Sequence, residues 1–289
     1  PLHSILHPSR ESGASMATAS SPIIRAALPN DSLAMAAVVR AALSPLMRET
    51  TILGGLGLDR FLRDQMTSES VNRFLVAEIG GNVVGMSAWR YEGEDLFLNH
   101  LFVHPSAQGC RVGTVLWARG MAVMERRGIR SLSIDVYEEN VRAAAWYRSL
   151  GLEPVATRLL MAVPLGEGKD EQSEWASTYL GDGDEAYARY GFSQFTLTTQ
   201  RAAYAIGRLG QQYFRGPAAL VEDEVALAAL RRLEPRRHVL CIDGSEWWEK
   251  ASERGAILLG RTVRLRAPLE QVVARLDGVL SAFGCKLVE

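Results

Sequence analysis

Asn140 and Tyr147 stand seven positions apart in a segment with helical apolar spacing. Seven residues make about two helical turns, so both side chains project from one face. A phenol with a pKa near ~10 can protonate a leaving group of similar basicity. The competing role for Tyr147 is that of an amphipathic core aromatic beside Trp146. A second constellation occupies residues 100–114, His-Leu-Phe-Val-His-Pro-Ser-Ala-Gln-Gly-Cys-Arg-Val-Gly-Thr. An apolar strand over 96–103 runs into His104-Pro105, a polar loop follows, and a helix begins near Arg111. The first turn of a helix has amides without intrahelical partners, and its macrodipole adds positive charge, so such a junction accepts an anion. His100 lies on the entering strand and carries an imidazole expected to titrate near neutrality.

The elements that must position these groups can be read in order. Residues 22–28 form a short strand, and 29–32 a turn and helix cap. A helix follows over 33–47, interrupted near its end by Pro45. Gly54-Gly55-Leu56-Gly57 is a flexible break, expected to gate a substrate or simply to join two helices, and 58–66 is a second helix. Residues 73–79 and 83–90 form a hairpin around Gly80-Gly81-Asn82. Strand 96–103 alternates, with Leu96, Leu98 and His100 on one face and Phe97, Asn99 and Leu101 on the other. A helix over 111–127 and a strand over 131–137 complete a strand-helix-strand unit whose strands should pair in parallel. A helix over 140–150 ends at Gly151, and 153–164 closes the sheet.

Two motifs then stand together. One is Val103-His104-Pro105 with Gln108-Gly109-Cys110-Arg111-Val112-Gly113. The other is Tyr137-Glu138-Glu139-Asn140, then Ala145-Trp146-Tyr147 and Leu150-Gly151-Leu152-Glu153-Pro154. The pair resembles the GNAT superfamily of acyl-CoA-dependent N-acyltransferases over residues 23–164. The loop departs from the family pattern at Arg111, which stands where a middle glycine is usual and is expected to keep a negative φ.

The resemblance implies an α/β fold with a mixed sheet and acetyl-CoA as co-substrate in a V between strands 96–103 and 131–137. The backbone of Leu101, Phe102 and Val103 would hold the pantetheine arm and thioester carbonyl. The amides of Gln108, Gly109, Cys110, Arg111, Val112, Gly113 and Thr114 would hold the pyrophosphate. Asn140 would contact pantetheine, and Tyr147 would protonate the departing thiolate. The implied reaction is direct attack of a primary amine on the acetyl thioester within a ternary complex. His100, Glu78, Asn99 with an ordered water, Glu94 and Asp95 are candidates for the base, with the Glu94-Asp95 turn a solvated tip or an acceptor contact. His104 is expected to be structural. The other readings are a longer acyl donor or non-amine acceptor, an acyl-CoA-binding sensor without turnover, and a structural tandem.

Residues 166–184 are polar and glycine-rich and read as a linker with a short helix around 174–180. The remainder, 185–289, repeats the element order as a degenerate GNAT-like unit. Residues 195–199 and 202–209 form a hairpin, 218–221 the central strand, 225–233 the helix, 239–243 a strand and 262–267 the closing strand. Its strand-to-helix junction is Val221-Glu222-Asp223-Glu224, whose carboxylates would repel a pyrophosphate. Trp248 stands where Tyr147 stands in the first unit and cannot donate a comparable proton. Residues 268–283 form an amphipathic helix that docks on the second unit or serves as a dimer contact.

Composition sets the bounds. With Lys+Arg 32 against Asp+Glu 33, no basic excess points to nucleic acid or a membrane surface. Cys110, Cys241 and Cys285 lack disulfide or metal-ligand spacing, and no metal is expected. A reducing cytoplasm fits this cysteine usage, and a monomer or homodimer is expected. Residues 1–21 read as a solvated tail in which His3 and His7 lack further ligands. Met16 is a candidate start.

Overall fold

The computed structural model describes residues 21–124, 128–166, 175–178 and 180–282. His3, His7, Met16, residues 125–127 of the expected helix, residues 167–174 and 179 of the expected linker, and residues 283–289 lie outside the described residues.

The strands are β1 (Ile23–Ala26), β2 (Arg73–Ile79), β3 (Asn82–Glu92), β4 (Asp95–Val103), β5 (Ser131–Tyr137), β6 (Glu153–Pro164), β7 (Ala176–Thr178), β8 (Phe192–Thr198), β9 (Ala203–Leu209), β10 (Tyr213–Arg215), β11 (His238–Asp243) and β12 (Ile257–Pro268). The helices are α1 (Ser32–Ala42), α2 (Pro45–Thr50), α3 (Leu58–Thr67), α4 (Val112–Val123), α5 (Val141–Ser149), α6 (Leu180–Tyr190), α7 (Glu224–Leu233), α8 (Trp248–Glu253) and α9 (Leu269–Ala282). All strands join one mixed sheet in the order β1-β2-β3-β4-β5-β12-β6-β11-β10-β9-β8-β7.

The order shows an exchange. β12, from the second half of the chain, inserts between β5 and β6, pairing Ser131–Tyr137 with Pro268–Thr262. β6, from the first half, pairs with β11 through Leu159–Pro164. Each half therefore lends its last strand to the other, and β6 does not close the first half's sheet. The second half's central strand is β10; the expected strand at 218–221 is a 3-10 turn (Ala218–Glu222) that opens after Pro217. Pro217 fixes φ and supplies no N–H for a sheet ladder. The helix expected around 174–180 is replaced by β7, and α6 starts at Leu180.

Pro45 begins a new helix rather than interrupting one. It sits at the first turn of α2, where no intrahelical N–H is required, and the Ser44 hydroxyl accepts from Met47 N at 3.2 Å. The glycine segment 54–57 is a packing seam. A Cβ on Gly55 would come within 2.5 Å of the Tyr190 carbonyl, and one on Gly57 within 2.1 Å of the Arg189 carbonyl. Gly57 N donates to Tyr190 O at 3.0 Å, so this stretch is fixed to the second half.

α4, α5 and α9 cover one face of the first half's sheet. Trp89, Trp117, Leu132, Tyr147, Leu265 and Val272 share that core, each such aromatic contributing ~2–3 kcal/mol through burial. Two glycines seat α4 tightly. A Cβ on Gly85 would lie 2.8 Å from Val112, and one on Gly120 would lie 2.3 Å from the Trp89 ring. α1, α2 and α3 cover the other face, with Met35, Val39, Leu58 and Phe102 in their core.

Candidate active site

β4 and β5 pair in parallel only at Asp95–Phe97 with Ser131–Ser133. Beyond those residues they diverge, leaving the facing edges of Leu98–Val103 and Ile134–Tyr137 unpaired. Unpaired strand edges offer regularly spaced donors and acceptors to an extended ligand. The opening is a cleft of about 1010 Å3 bounded by α1, α2, the N-terminus of α4, and α5. Asp95 staples its closed end, accepting from Ser131 Oγ at 2.6 Å and from Ser133 Oγ.

Of the residues singled out in the sequence, His100, Leu101, Phe102, Val103, Gln108, Gly109, Arg111, Val112, Gly113, Thr114, Asn140 and Tyr147 line this cleft. Cys110 does not; it is exposed, and its amide is used by Ala107 O at 3.4 Å. The Gln108 amide is also occupied, donating to Pro105 O at 3.3 Å. The first amides of α4, at Val112, Gly113 and Thr114, have no acceptor within the helix. A Cβ on Gly113 would meet only Val103 and Leu101 at 3.7 and 3.9 Å, so the helix start has open space before it.

Arg111 has φ 61, against the expected negative value, and is the only non-glycine residue with positive φ among the described residues. The left-handed conformation that ends the loop is retained without the glycine that makes it cheap, at a cost of ~1 kcal/mol.

The Gln108 side chain bridges the mouth of the cleft. Its Nε2 donates to Val103 O at 3.2 Å, and its Oε1 accepts from Arg142 at 3.2 Å. Val103's carbonyl is therefore already engaged. Asn140 caps α5, its Oδ1 accepting from Ala143 N at 3.2 Å, which leaves its amide NH2 as donor. Tyr147 packs against Trp117 and Trp146, with ring centroids 5.3 and 4.9 Å away. Burial raises its pKa, so the phenol keeps its proton throughout the working pH range.

His100 departs from both expectations. β4 carries a bulge, because Ala88 pairs with His100 while Trp89 pairs with Leu98. Asn99 is the extra residue, and it reverses the alternation. Leu96, Leu98 and Leu101 face α4 and α5, whereas Phe102 faces α1 and α3 with the His100 ring 6.0 Å from its own. Burial, with Arg90 nearby, pushes the imidazole down to about 4, so it does not titrate near neutrality.

The other candidate bases are committed elsewhere. Glu78 pairs with Arg25, Glu94 with Arg130 at 3.3 Å, and Asp95 staples the sheet. Asn99 lines the cleft and donates to Asn72 at 3.4 Å. His104 Nδ1 lies 2.7 Å from the Ser106 hydroxyl and caps the following turn.

Sequence reasoning missed several cleft residues: Ser44, Met47, Asp135, Tyr137, Glu139 and Arg142. The alternation of β5 carries part of the signal. Leu132, Ile134 and Val136 enter the core, which turns Asp135 and Tyr137 to the α2 face. There the Asp135 carboxylate is held by Arg264 of β12, and the Tyr137 hydroxyl lies 3.5 Å from Thr50 Oγ1. Glu139 accepts from the Ser44 hydroxyl at 2.6 Å.

Among solved structures, a tandem GNAT protein from the clavulanic acid biosynthesis pathway aligns with 86% of this chain and 98% of its own, at TM-score 0.59 and 12% identity. A proposed acetyltransferase of Pyrococcus horikoshii aligns with 86% of this chain and 89% of its own, at TM-score 0.57 and 14% identity. A GCN5-related N-acetyltransferase of Sphaerobacter thermophilus gives 86%, 96%, 0.53 and 13%. These likenesses extend the shared fold over both halves. Residues 45–152 match the family model described as the acetyltransferase (GNAT) family. That match spans the splayed strands and the helix start at Val112, so the first half is similar to a GNAT acetyltransferase domain.

Proposed function

We propose that the protein is an N-acetyltransferase moving an acetyl group from acetyl-CoA to the primary amine of a small-molecule acceptor, with one active cleft in its first half. The observation that carries this reading is the divergence of β4 from β5 beyond Phe97 and Ser133, directly before the open N-terminus of α4. The pantetheine arm fits as an extended strand-like ligand between the two edges. The pyrophosphate fits before the amides of Val112, Gly113 and Thr114, with Arg142 at the mouth. The Asn140 amide donates toward pantetheine.

Attack of the neutral amine on the thioester carbon forms a tetrahedral oxyanion beside the β4 backbone, whose amides are suited to stabilise it. The C–S bond then breaks, the amine nitrogen loses a proton, and coenzyme A leaves as the thiol. Tyr147 stands with its proton retained. Burial raises the phenol above its ordinary ~10, so full transfer to a thiolate near ~8.5 is uphill by more than ~2 kcal/mol. The residue therefore acts by a hydrogen bond that strengthens as charge builds on sulfur, and the thiolate takes up the proton that the amine nitrogen releases through water. His100 serves as a neutral wall on the acceptor side. Water, rather than a carboxylate, relays the amine's proton, because the nearby carboxylates are bound to Arg264 and Ser44.

The test is thiol release from acetyl-CoA against an amine panel, run with binding measured in parallel. Turnover with one amine class, and its loss in Tyr147→Phe, supports the proposal. Acetyl-CoA binding without turnover on any amine supports a binding protein instead, and no binding removes the cofactor reading.

A further inference from the structure

A second cavity of about 590 Å3 lies on the same sheet face as α2 and α3, with no lining residue shared with the transfer cleft, although the charge of Arg215 in its lining reaches Tyr137 of that cleft. Its volume is that of a small-ligand site. Both halves build it: Ile52 and Phe61 come from the first half, and Tyr190, Phe192, Leu209 and Ile242 from the second. The three aromatic rings brace one another. Phe61 meets Tyr190 and Phe192 edge-on at 5.7 and 4.9 Å, and Tyr190 stacks on Phe192 at 5.7 Å. The Tyr190 hydroxyl donates to Asp64 at 2.6 Å, and Arg189 pairs with the same carboxylate at 2.8 Å. That knot between α3 and α6 makes the wall preformed. Ala205, Gly207 and Gly216 on the floor leave the volume open.

The lining contains one charged residue, Arg215, and no carboxylate. Arg215 lies at the end of β10 on the same face as Tyr213. Among the described residues no carboxylate pairs with it. This sets it apart from Arg189, Arg208, Arg237 and Arg264, each of which is paired. An apolar aromatic chamber with one unpaired guanidinium at its rim selects an anion with an apolar body, and guanidinium geometry favours a carboxylate.

We propose that this seam pocket binds a small organic carboxylate with an aromatic or branched aliphatic body, its carboxylate on Arg215 and its body against Phe61, Tyr190 and Phe192. The site is separate from the acetyl-transfer cleft and does not depend on that cleft being active.

The probe is 3-phenylpropionate, with neutral 3-phenylpropanamide as its control, titrated calorimetrically into the full chain with and without saturating acetyl-CoA. The expected result is binding at one site that persists with acetyl-CoA present. Affinity should fall about tenfold or more for the amide and in Arg215→Gln, the loss expected for one charge-assisted contact. Ala205→Trp, which fills the floor and leaves the charge, should abolish binding. Both positions are exposed, so each variant should keep the acetyl-CoA thermal shift of the parent. Absence of probe binding, equal affinity for acid and amide, full binding in Ala205→Trp, or displacement by acetyl-CoA would each overturn the proposal. An unchanged acetyl-CoA shift in those experiments would confine the failure to the seam pocket.

Discussion

The two halves place a strand, a turn and a helix in the same relation and put opposite charge at the helix start. In the first half β4 leads through Pro105 to α4, whose first turn contains no acidic residue. In the second half β10 leads through Pro217 to α7, and the intervening carboxylates are all used by the protein. Asp223 caps α7, accepting from Ala226 N at 3.0 Å, Thr199 Oγ1 at 2.6 Å and Tyr204 OH at 3.0 Å. Burial alone would raise its pKa, but these hydrogen bonds hold the carboxyl below its usual range. Glu222 pairs with Arg201 and Lys250, and Glu224 with Arg254. One helix dipole is left for a ligand, and the other is satisfied internally. The comparison teaches that two junctions of like geometry can present different electrostatics: the first turn of α4 has no carboxylate, whereas three carboxylates surround the start of α7.

Tyr147→Phe and Trp248→Phe probe the comparison most strongly. The first should lower kcat by about 10²-fold, the scale of a positioned proton donor, while the second should leave the rate nearly unchanged. Steady-state kinetics on the best amine reads both, and equal effects would mean that the second half takes part in the chemistry. Next in size is Gly113→Asp, which gives the first junction the acidity of the second. Its Cβ fits the available space, so the KM for acetyl-CoA should rise about tenfold from repulsion, with little loss of stability. A large fall in Tm instead would trace the effect to packing.

Arg111→Gly relieves the left-handed strain and should raise stability by about 0.5–1 kcal/mol in chemical denaturation. No gain would show that contacts of the arginine side chain offset its strain. The smallest effect concerns His100. Its folded pKa lies below its unfolded value, so the unfolded chain binds the extra proton. The stability of the neutral form is present above pH ~6.5 and declines as pH falls toward 4. His100→Gln should flatten that part of the Tm–pH curve and produce no new inflection in rate near pH 6.5. A rate inflection near 6.5 that disappears in His100→Gln would restore this residue as the base.

The parallel unit from β4 through α4 to β5, the strand-to-helix turn at 104–111, and the placing of Asn140 and Tyr147 on one cleft were legible because each depends on local spacing. The Asn99 bulge had no local signal. The segment alternates cleanly, and the extra residue shows only in the pairing with β3. For the second half's central strand, the apolar run 218–221 was misleading: Pro217 sends it into a 3-10 turn, and the three-residue β10 is too short to show a period. The Arg264–Asp135 pair was likewise hidden, since it joins residues from opposite halves.

The lending of β6 and β12 has a consequence for how the molecule comes into being. During synthesis β5 emerges long before β12, and until β12 arrives its outer edge has no partner. The cleft wall carrying Asp135 and Tyr137 therefore acquires its support only when the second half has been made. The first half should gain native protection together with the second, in one late and slow step set by contacts distant in sequence.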